Sequence, residues 1–239
     1  MQYLVLPPMY WPPITVVAAF WCVDAVLFLD TIRYQKQSFQ NRARIRTPQG
    51  WQWLIAPVRS GRSARPRSIA EIELDLSHRW FDKHWKALEF FYRRAPYFEF
   101  YEEGFAPLYR RSVPQRLIEL LRPTLEWLWA ALRVPARMRW ASEESDWEGV
   151  TDPSSWWTVP EAALPPRYAG RCRVLSLKPP VYPQAFAGFE ANLSVLDLLF
   201  NLGPRAIETL RRVAEGADPR ARGGASGPEG CPRRAGRGA

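Results

Sequence analysis

Apolar and polar positions near the N-terminus fall into three blocks. Gln2 to Leu6 is a short, mainly apolar run of the kind a buried strand makes. A rigid turn follows, Pro7-Pro8-Met9-Tyr10-Trp11-Pro12-Pro13. Pro13 suits the first position of a helix, where its missing N–H costs nothing. Ile14 to Val23 is apolar nearly all round, which predicts a buried helix. Ala25 to Asp30 is a second apolar run, closed by an acid. Strand, helix and strand in this order predict a βαβ unit with a right-handed crossover.

Further on the pattern changes. Arg42 to Thr47 and Trp51 to Val58 flank Pro48-Gln49-Gly50, which predicts a hairpin. Ile69 to Leu76 alternates Ile72, Leu74 and Leu76 with Glu71, Glu73 and Asp75, a strand-like period of two. His78 to Arg94 sets Phe81, Trp85, Leu88 and Tyr92 on one helical face, with Ser77 as its expected cap and Pro96 as its stop. Val113 to Val134 is helical in pattern, and Pro123 should kink or split it. Residues 142–170 are rich in Trp and Pro without period and read as an irregular excursion. Arg171 to Leu177 reads as a strand. Asn192 to Leu202 and Arg205 to Ala214 read as helices, separated by the stop signal Gly203-Pro204.

Together these elements predict an α/β fold: an N-terminal βαβ unit, a mixed sheet with a hairpin, flanking helices and a disordered C-terminal tail. Residues 1–214 make the α/β domain. Residues 215–239 hold seven Gly, three Pro and five Arg and no aromatic side chain. Such a segment buries too little apolar surface to offset its ordering entropy.

Charge sharpens the picture. The net charge is +9. Arg33, Lys36, Arg42, Arg44, Arg46, Arg59, Arg62, Arg65 and Arg67 lie in one stretch without a single Asp or Glu, and the rest of the chain is close to neutral. A field concentrated in this way points to an anionic ligand. Cations without local acids repel one another, so replacing Arg42 and Arg44 should not weaken the empty protein. Three cysteines, far apart, and two histidines exclude a structural zinc site and a disulfide framework. There is no Gly-x-Gly-x-x-Gly or Walker-type loop, so no nucleotide cofactor is expected. Ile14 to Leu29 contains Asp24 and lacks a basic leader, so neither a signal peptide nor a membrane span is expected. A reducing, cytoplasmic setting follows.

The densest chemistry is Tyr34-Gln35-Lys36-Gln37-Ser38-Phe39-Gln40-Asn41-Arg42-Ala43-Arg44-Ile45-Arg46, just after a core strand. Amides give directional hydrogen bonds, and guanidinium groups give a fork that fits carboxylate or phosphate. The blander account is a polar connection whose amides tie up loop backbone. With Leu29-Asp30, Asn41-Arg42-x-Arg44-Ile45, Gly50 and Leu54-x-x-Pro57-Val58, this stretch resembles the WbqC-like family. Two further blocks run in the same order. One is Trp80-x-x-x-His84-Trp85-x-x-Leu88-x-x-x-Tyr92 with Ala95-Pro96-Tyr97-Phe98. The other is Tyr182-x-Gln184-x-Phe186 with Asn192-Leu193-Ser194-x-x-Asp197-Leu198-Leu199-Phe200-Asn201-x-Gly203-Pro204. The family's His-Gln-Pro sequence before the tyrosine is absent; here Leu6-Pro7-Pro8-Met9 precedes Tyr10.

The resemblance implies a bacterial protein of surface-polysaccharide (O-antigen) assembly, with a transferase of glycine or another aminoacyl group as the suggested activity. On that reading Lys36, Asn41, Arg42 and Arg44 bind an anionic small molecule such as a phosphate- or sugar-nucleotide-containing substrate, and Tyr10 lines the pocket. His84 is a candidate general base because its unperturbed pKa lies near neutrality; a hydrogen-bonded structural histidine is the alternative. Asp30 ends a core strand, where α/β proteins place reactive acids, and pairing with an arginine is its alternative. Ser194 with Asp197 reads as a helix-capping box before it reads as a nucleophile. The competing class is a non-enzymatic anion-binding, nucleic-acid-binding or scaffold protein. The basic stretch and the Arg/Gly tail favour it, but no recognised nucleic-acid-binding motif is present.

Overall fold

The structure is a computed structural model that describes residues 1–59, 67–110, 113–144, 155–162 and 164–216. The tip of the arginine-rich loop, residues 145–154 of the Trp/Pro-rich stretch and the tail from 217 onward lie outside the described residues, and with them the expectation of a disordered tail.

Strand β1 (Tyr3–Leu6) is fully buried. The turn at Pro7–Pro13 delivers the chain into helix α1 (Ile14–Ala18), which tightens into a 3₁₀ turn at Ala19–Trp21. β2 (Ala25–Phe28) returns parallel to β1 in the register Tyr3↔Ala25 to Leu6↔Phe28. The βαβ unit thus forms as its pattern predicts, because continuous apolar runs suit a parallel sheet covered on both faces.

Next come the hairpin β3 (Arg42–Thr47) and β4 (Gly50–Ile55), then α2 (Trp80–Tyr92), α3 (Phe98–Phe105), α4 (Pro107–Arg110), α5 (Leu117–Leu132) and β5 (Arg137–Trp140). β6 (Trp156–Thr158), α6 (Pro166–Ala169), β7 (Arg173–Val174), α7 (Val195–Leu202) and α8 (Arg205–Glu215) complete the described elements. The main sheet has the order β5-β2-β1-β6-β7, every neighbouring pair parallel. The hairpin is a separate antiparallel two-stranded sheet. From β1 the chain builds outward to β2 and β5, then reverses to β6 and β7. The reversal falls between β1 and β6, and in open α/β sheets ligands bind beyond the carboxyl ends of strands at such a switch point.

Several local readings change. Ile69 to Leu76 is not a strand. Glu71 accepts hydrogen bonds from the backbone and hydroxyl of Ser68 and folds Ile69–Glu71 into a 3₁₀ turn, leaving isolated bridges at Glu73 and Leu74. A Ser-x-x-Glu pair is a capping signal even where an alternating run follows it. Ser77 does not cap α2; its N–H donates to Asp75, and the helix opens behind Arg79 in a left-handed conformation (φ 45°). Pro123 does not split α5, which runs unbroken from Leu117 to Leu132. Its burial of Leu117, Leu120, Leu121, Leu125, Leu128 and Leu132 outweighs the one hydrogen bond that proline forfeits. Trp129 of α5 packs on Phe20 at a tilt (centroids 4.8 Å apart) and meets Phe28 edge-on, fixing this helix to β2. β6 lies inside the stretch read as irregular: Trp156 pairs with Tyr3 and is buried.

The junction of α7 and α8 turns on Gly203 (φ 58°). A side-chain carbon there would stand 2.4 Å from the Tyr97 ring, so only glycine fits both the conformation and the space. Among the described residues, no helix is long and apolar enough to cross a membrane.

Candidate functional site at the sheet switch point

Residues 193–195, at the entrance to α7, form a short strap between the turn after β1 and the hairpin. On one side Ile14 N–H donates to the Leu193 carbonyl (3.0 Å) and Val195 N–H to the Pro12 carbonyl (2.9 Å). On the other, Ser194 N–H donates to the Arg44 carbonyl (2.8 Å). The strap therefore brings β3 to the turn beyond β1, next to the segment that leaves β6.

Four side chains converge here. The Thr15 hydroxyl lies 2.8 Å from Glu161 Oε1 and 3.0 Å from Asn192 Oδ1. Having one hydrogen, it donates preferentially to the shorter, charged acceptor. Asn192 Nδ2 donates to the same Glu161 oxygen (3.0 Å), and Asn192 Oδ1 accepts from Thr15 N–H (3.1 Å). Arg44 donates to the Asn192 carbonyl (2.7 Å). Asn192 itself is left-handed (φ 52°), a conformation asparagine tolerates better than most residues.

Glu161 keeps one oxygen, Oε2, without a donor, and Arg44 keeps Nε without an acceptor, although both atoms are buried. Among the described residues nine buried side-chain polar atoms lack a partner. Six of them lie in two short stretches, on Gln40, Asn41, Arg42 and Arg44, and on Thr158 and Glu161. Each such atom costs about 1–3 kcal/mol when it stays unpaired, and they concentrate at the hairpin and the β6 exit. Burial pushes the Arg44 guanidinium below the usual arginine value, while Glu161 and then Glu190 pull it back up. The basic stretch has no acid in sequence, but in the fold Arg44 has two.

The sequence-predicted residues divide. Arg42, Arg44 and Arg46 share one face of β3, as the period of two requires. Arg42 stacks over Trp53 (4.3 Å) and donates to the Gln37 carbonyl, so it staples the preceding loop. Arg46 is buried and donates to the carbonyls of Thr47, Gly50, Ala187 and Gly188 and to Gln184, which makes it the clamp of the 184–190 loop. Asn41 donates to the Ala56 carbonyl (2.9 Å) and prolongs the hairpin. Lys36 is exposed in the loop before β3.

Tyr10 and His84 meet each other, away from the Thr15 cluster. His84 lies 3.1 Å from the Ile55 carbonyl and 3.0 Å from the Tyr10 hydroxyl. A carbonyl only accepts, so Nε2 carries the proton and Nδ1 accepts from Tyr10. Tyr10 in turn accepts from Tyr109 (2.6 Å), and Tyr109 from the Trp11 indole (2.8 Å). The directions of the whole relay follow from its one carbonyl end. Burial lowers His84 to about 4, against the pull of its bond to Ile55, so it is a neutral, fully engaged ring at neutral pH. Asp30 is likewise engaged: it accepts from Ser142 N–H (3.0 Å), the Ser142 hydroxyl (2.6 Å) and Arg122 (3.1 Å), tying the ends of β2 and β5 to α5.

The WbqC-like protein family model matches residues 7–154 and 170–209. This chain belongs to the WbqC-like protein family. An uncharacterized protein of Mycobacterium tuberculosis is 31% identical over 215 residues, covering 79% of this chain and 88% of that protein. No solved structure matches.

Thr15, Arg44, Glu190 and Asn192 of this WbqC-like protein lie within the matched residues, whereas Glu161 lies between the two matched segments. Thr15, Glu161 and Glu190 escaped the sequence reading. Thr15 was detectable as the one hydroxyl in an otherwise apolar helix. Glu161 had no local signal, because it sits in a stretch without period, and only the pairing of β6 with β1 brings it to the site.

Proposed function

We propose that this protein is a transferase that joins an activated carbonyl, of glycine or another aminoacyl group, to an amine during surface-polysaccharide assembly. The observation that carries the reading is the buried Glu161 oxygen without a donor, at the sheet switch point, beside the guanidinium of Arg44. The amine nitrogen attacks the carbonyl carbon, the C–N bond forms, and the bond to the leaving group breaks. Glu161 takes the proton that the amine sheds and passes it to the leaving group, so atoms and charge balance. Thr15 and Asn192 hold the carboxylate in place through its other oxygen. Arg42 and Lys36, on the loop side of the hairpin, suit the anionic handle of the donor. Glu161 fits the base role better than His84 or Asp30, whose polar atoms are all engaged.

The test is genetic and chemical. The gene is deleted in its source organism, and the purified surface polysaccharide is compared with wild type by mass spectrometry. Loss of an amide-linked aminoacyl substituent is expected, restored by the wild-type gene but not by Glu161→Gln. An unchanged polysaccharide overturns the reading.

A further inference from the structure

We infer that the outer edge of β4 is a docking site for an extended polypeptide segment with a carboxylate facing Trp53, which adds antiparallel to the hairpin as its third strand. Such docking stands apart from the transfer reaction.

The direction of each backbone group in the hairpin follows from one bond. Ala56 N–H donates to the Asn41 carbonyl (2.8 Å), and the register sets Arg42 opposite Ile55. In an antiparallel ladder, bonded and non-bonded pairs alternate. Gln52 and Leu54 therefore turn their N–H and C=O toward β3, whereas Trp51, Trp53 and Ile55 turn theirs outward. On β3 the outward groups come from Arg42, Arg44 and Arg46. Partners meet them there: the Arg44 carbonyl accepts from Ser194 N–H, and Arg46 N–H donates to the Tyr92 hydroxyl. On β4 the Ile55 carbonyl is met by His84. Among the described residues, β3 is the only strand that pairs with β4, and no group bonds the outward N–H and C=O of Trp51 and Trp53.

An exposed edge is ordinarily blunted by a charge, a proline or a bulge. Gly50-Trp51-Gln52-Trp53-Leu54-Ile55 holds no charge and no proline, and its register runs without a break. An edge left so is a template for a further strand, held by main-chain hydrogen bonds and selected through alternate side chains. Those side chains choose the occupant. Trp51 and Ile55 are 42% and 48% exposed and offer apolar contact. The Arg42 guanidinium leans across from β3 to lie over the Trp53 ring (4.3 Å), and its hydrogen bond goes to the Gln37 carbonyl, not to a carboxylate. A residue added opposite Trp53 stands on the same face, about 5 Å away, within reach of that guanidinium. A carboxylate there makes a charge-assisted contact, and a cation there is repelled.

The probe is the peptide Thr-Glu-Thr-Glu-Thr-Glu-Thr, acetylated and amidated at its ends, added to the purified full chain. Binding is read by tryptophan fluorescence and by amide hydrogen exchange. In antiparallel pairing, residues opposite Trp51, Trp53 and Ile55 turn their side chains to the arginine face and their backbone groups to β4. N-methylation of the glutamates should therefore weaken binding at least tenfold, the size of one lost hydrogen bond or more. N-methylation of the threonines, whose N–H groups face solvent, should leave it intact. The peptide should slow exchange at the amides of Trp51, Trp53 and Ile55. The amides of Gln52 and Leu54, already bonded to β3, should be slow with and without it. Arg42→Gln should weaken binding about tenfold and keep this exchange pattern. Thermal midpoints show whether that variant folds, and the two methylated peptides test the pairing on the wild-type chain in either case. No binding, equal binding of the lysine counterpart Thr-Lys-Thr-Lys-Thr-Lys-Thr, indifference to methylated glutamates, or unchanged exchange at Trp51 and Trp53 overturns the inference. So does slow exchange at these two amides in the free protein that is lost on dilution, which would place a second copy of the chain on the edge.

Discussion

His84 and Asp197 are buried titratable groups whose burial works in opposite directions. Burial lowers His84 to about 4. Desolvation raises the Asp197 carboxyl to about 6, against hydrogen bonds from Tyr182 and Tyr92 and the charge of Arg46. The unfolded chain binds a proton at His84 near pH 6.5, and the folded protein does so only near 4. As pH falls through that window, His84 therefore removes stability. For Asp197 the folded protein takes up its proton first, so the same fall restores stability, and the loss occurs as pH rises toward 6. Each is worth up to about 3 kcal/mol at 1.36 kcal/mol per pKa unit. Urea unfolding from pH 4 to 7 should show the two in difference curves. Relative to wild type, His84→Gln should gain stability toward acid and Asp197→Asn should lose it. Parallel curves for either variant would mean that its group titrates alike in the folded and unfolded chains.

At the scale of the element, α7 shows how a local rule survives in part. The Ser194 hydroxyl accepts from Leu196 N–H (3.3 Å), so it caps the helix as its sequence suggests. The reciprocal half of the box does not form. Ser194 N–H is already given to Arg44, and the Asp197 carboxylate accepts from Tyr182 (2.6 Å). A tertiary partner has taken the Ser194 N–H, and the bond to Tyr182 holds the Asp197 carboxylate away from it. Ser194→Ala should cost about 1 kcal/mol, the ordinary worth of an N-cap, read as a lower urea midpoint with an unchanged slope. Since backbone groups of Leu193, Ser194 and Val195 hold the strap and the Ser194 side chain does not, that variant should leave the fluorescence of Trp51 and Trp53 unaltered. The same contrast separates Ile69–Glu71, where a capping pair overrode alternation, from β1 and β2, where nothing competed with the apolar run.

For the whole molecule, Arg44 is the residue on which hairpin, strap and sheet depend. Read along the chain it is one cation among many, and its removal should be harmless. In the fold it holds the Asn192 carbonyl and compensates Glu161 and Glu190. Arg44→Gln should therefore destabilise the protein by about 1–3 kcal/mol, the cost of leaving buried polar groups unpaired, seen as a lower midpoint at neutral pH. Arg42→Gln, which gives up a more exposed loop contact, should cost less. Equal stability of Arg44→Gln and wild type would show that the two glutamates do not need their cation.

The sequence by itself determined the α/β class, the βαβ unit, the hairpin and its shared arginine face. It also determined the family, through blocks of residues in a fixed order. These are local properties: a strand or helix face is written in spacings of two to four residues, and a family block is contiguous. The site was decided only by the tertiary structure. Its hydrogen bonds join residues 146, 148 and 177 positions apart. No local spacing says which of several glutamates will face Arg44. That depends on β6 pairing with β1, on the strap running between Pro12 and β3, and on Gly50 leaving room for Glu190. His84 and Asp30 stood out in sequence for their chemistry, and the fold engaged every polar atom of their side chains. Glu161 did not stand out, and the fold left one of its oxygens without a partner, because burial and pairing are properties of surroundings that the chain acquires only on folding.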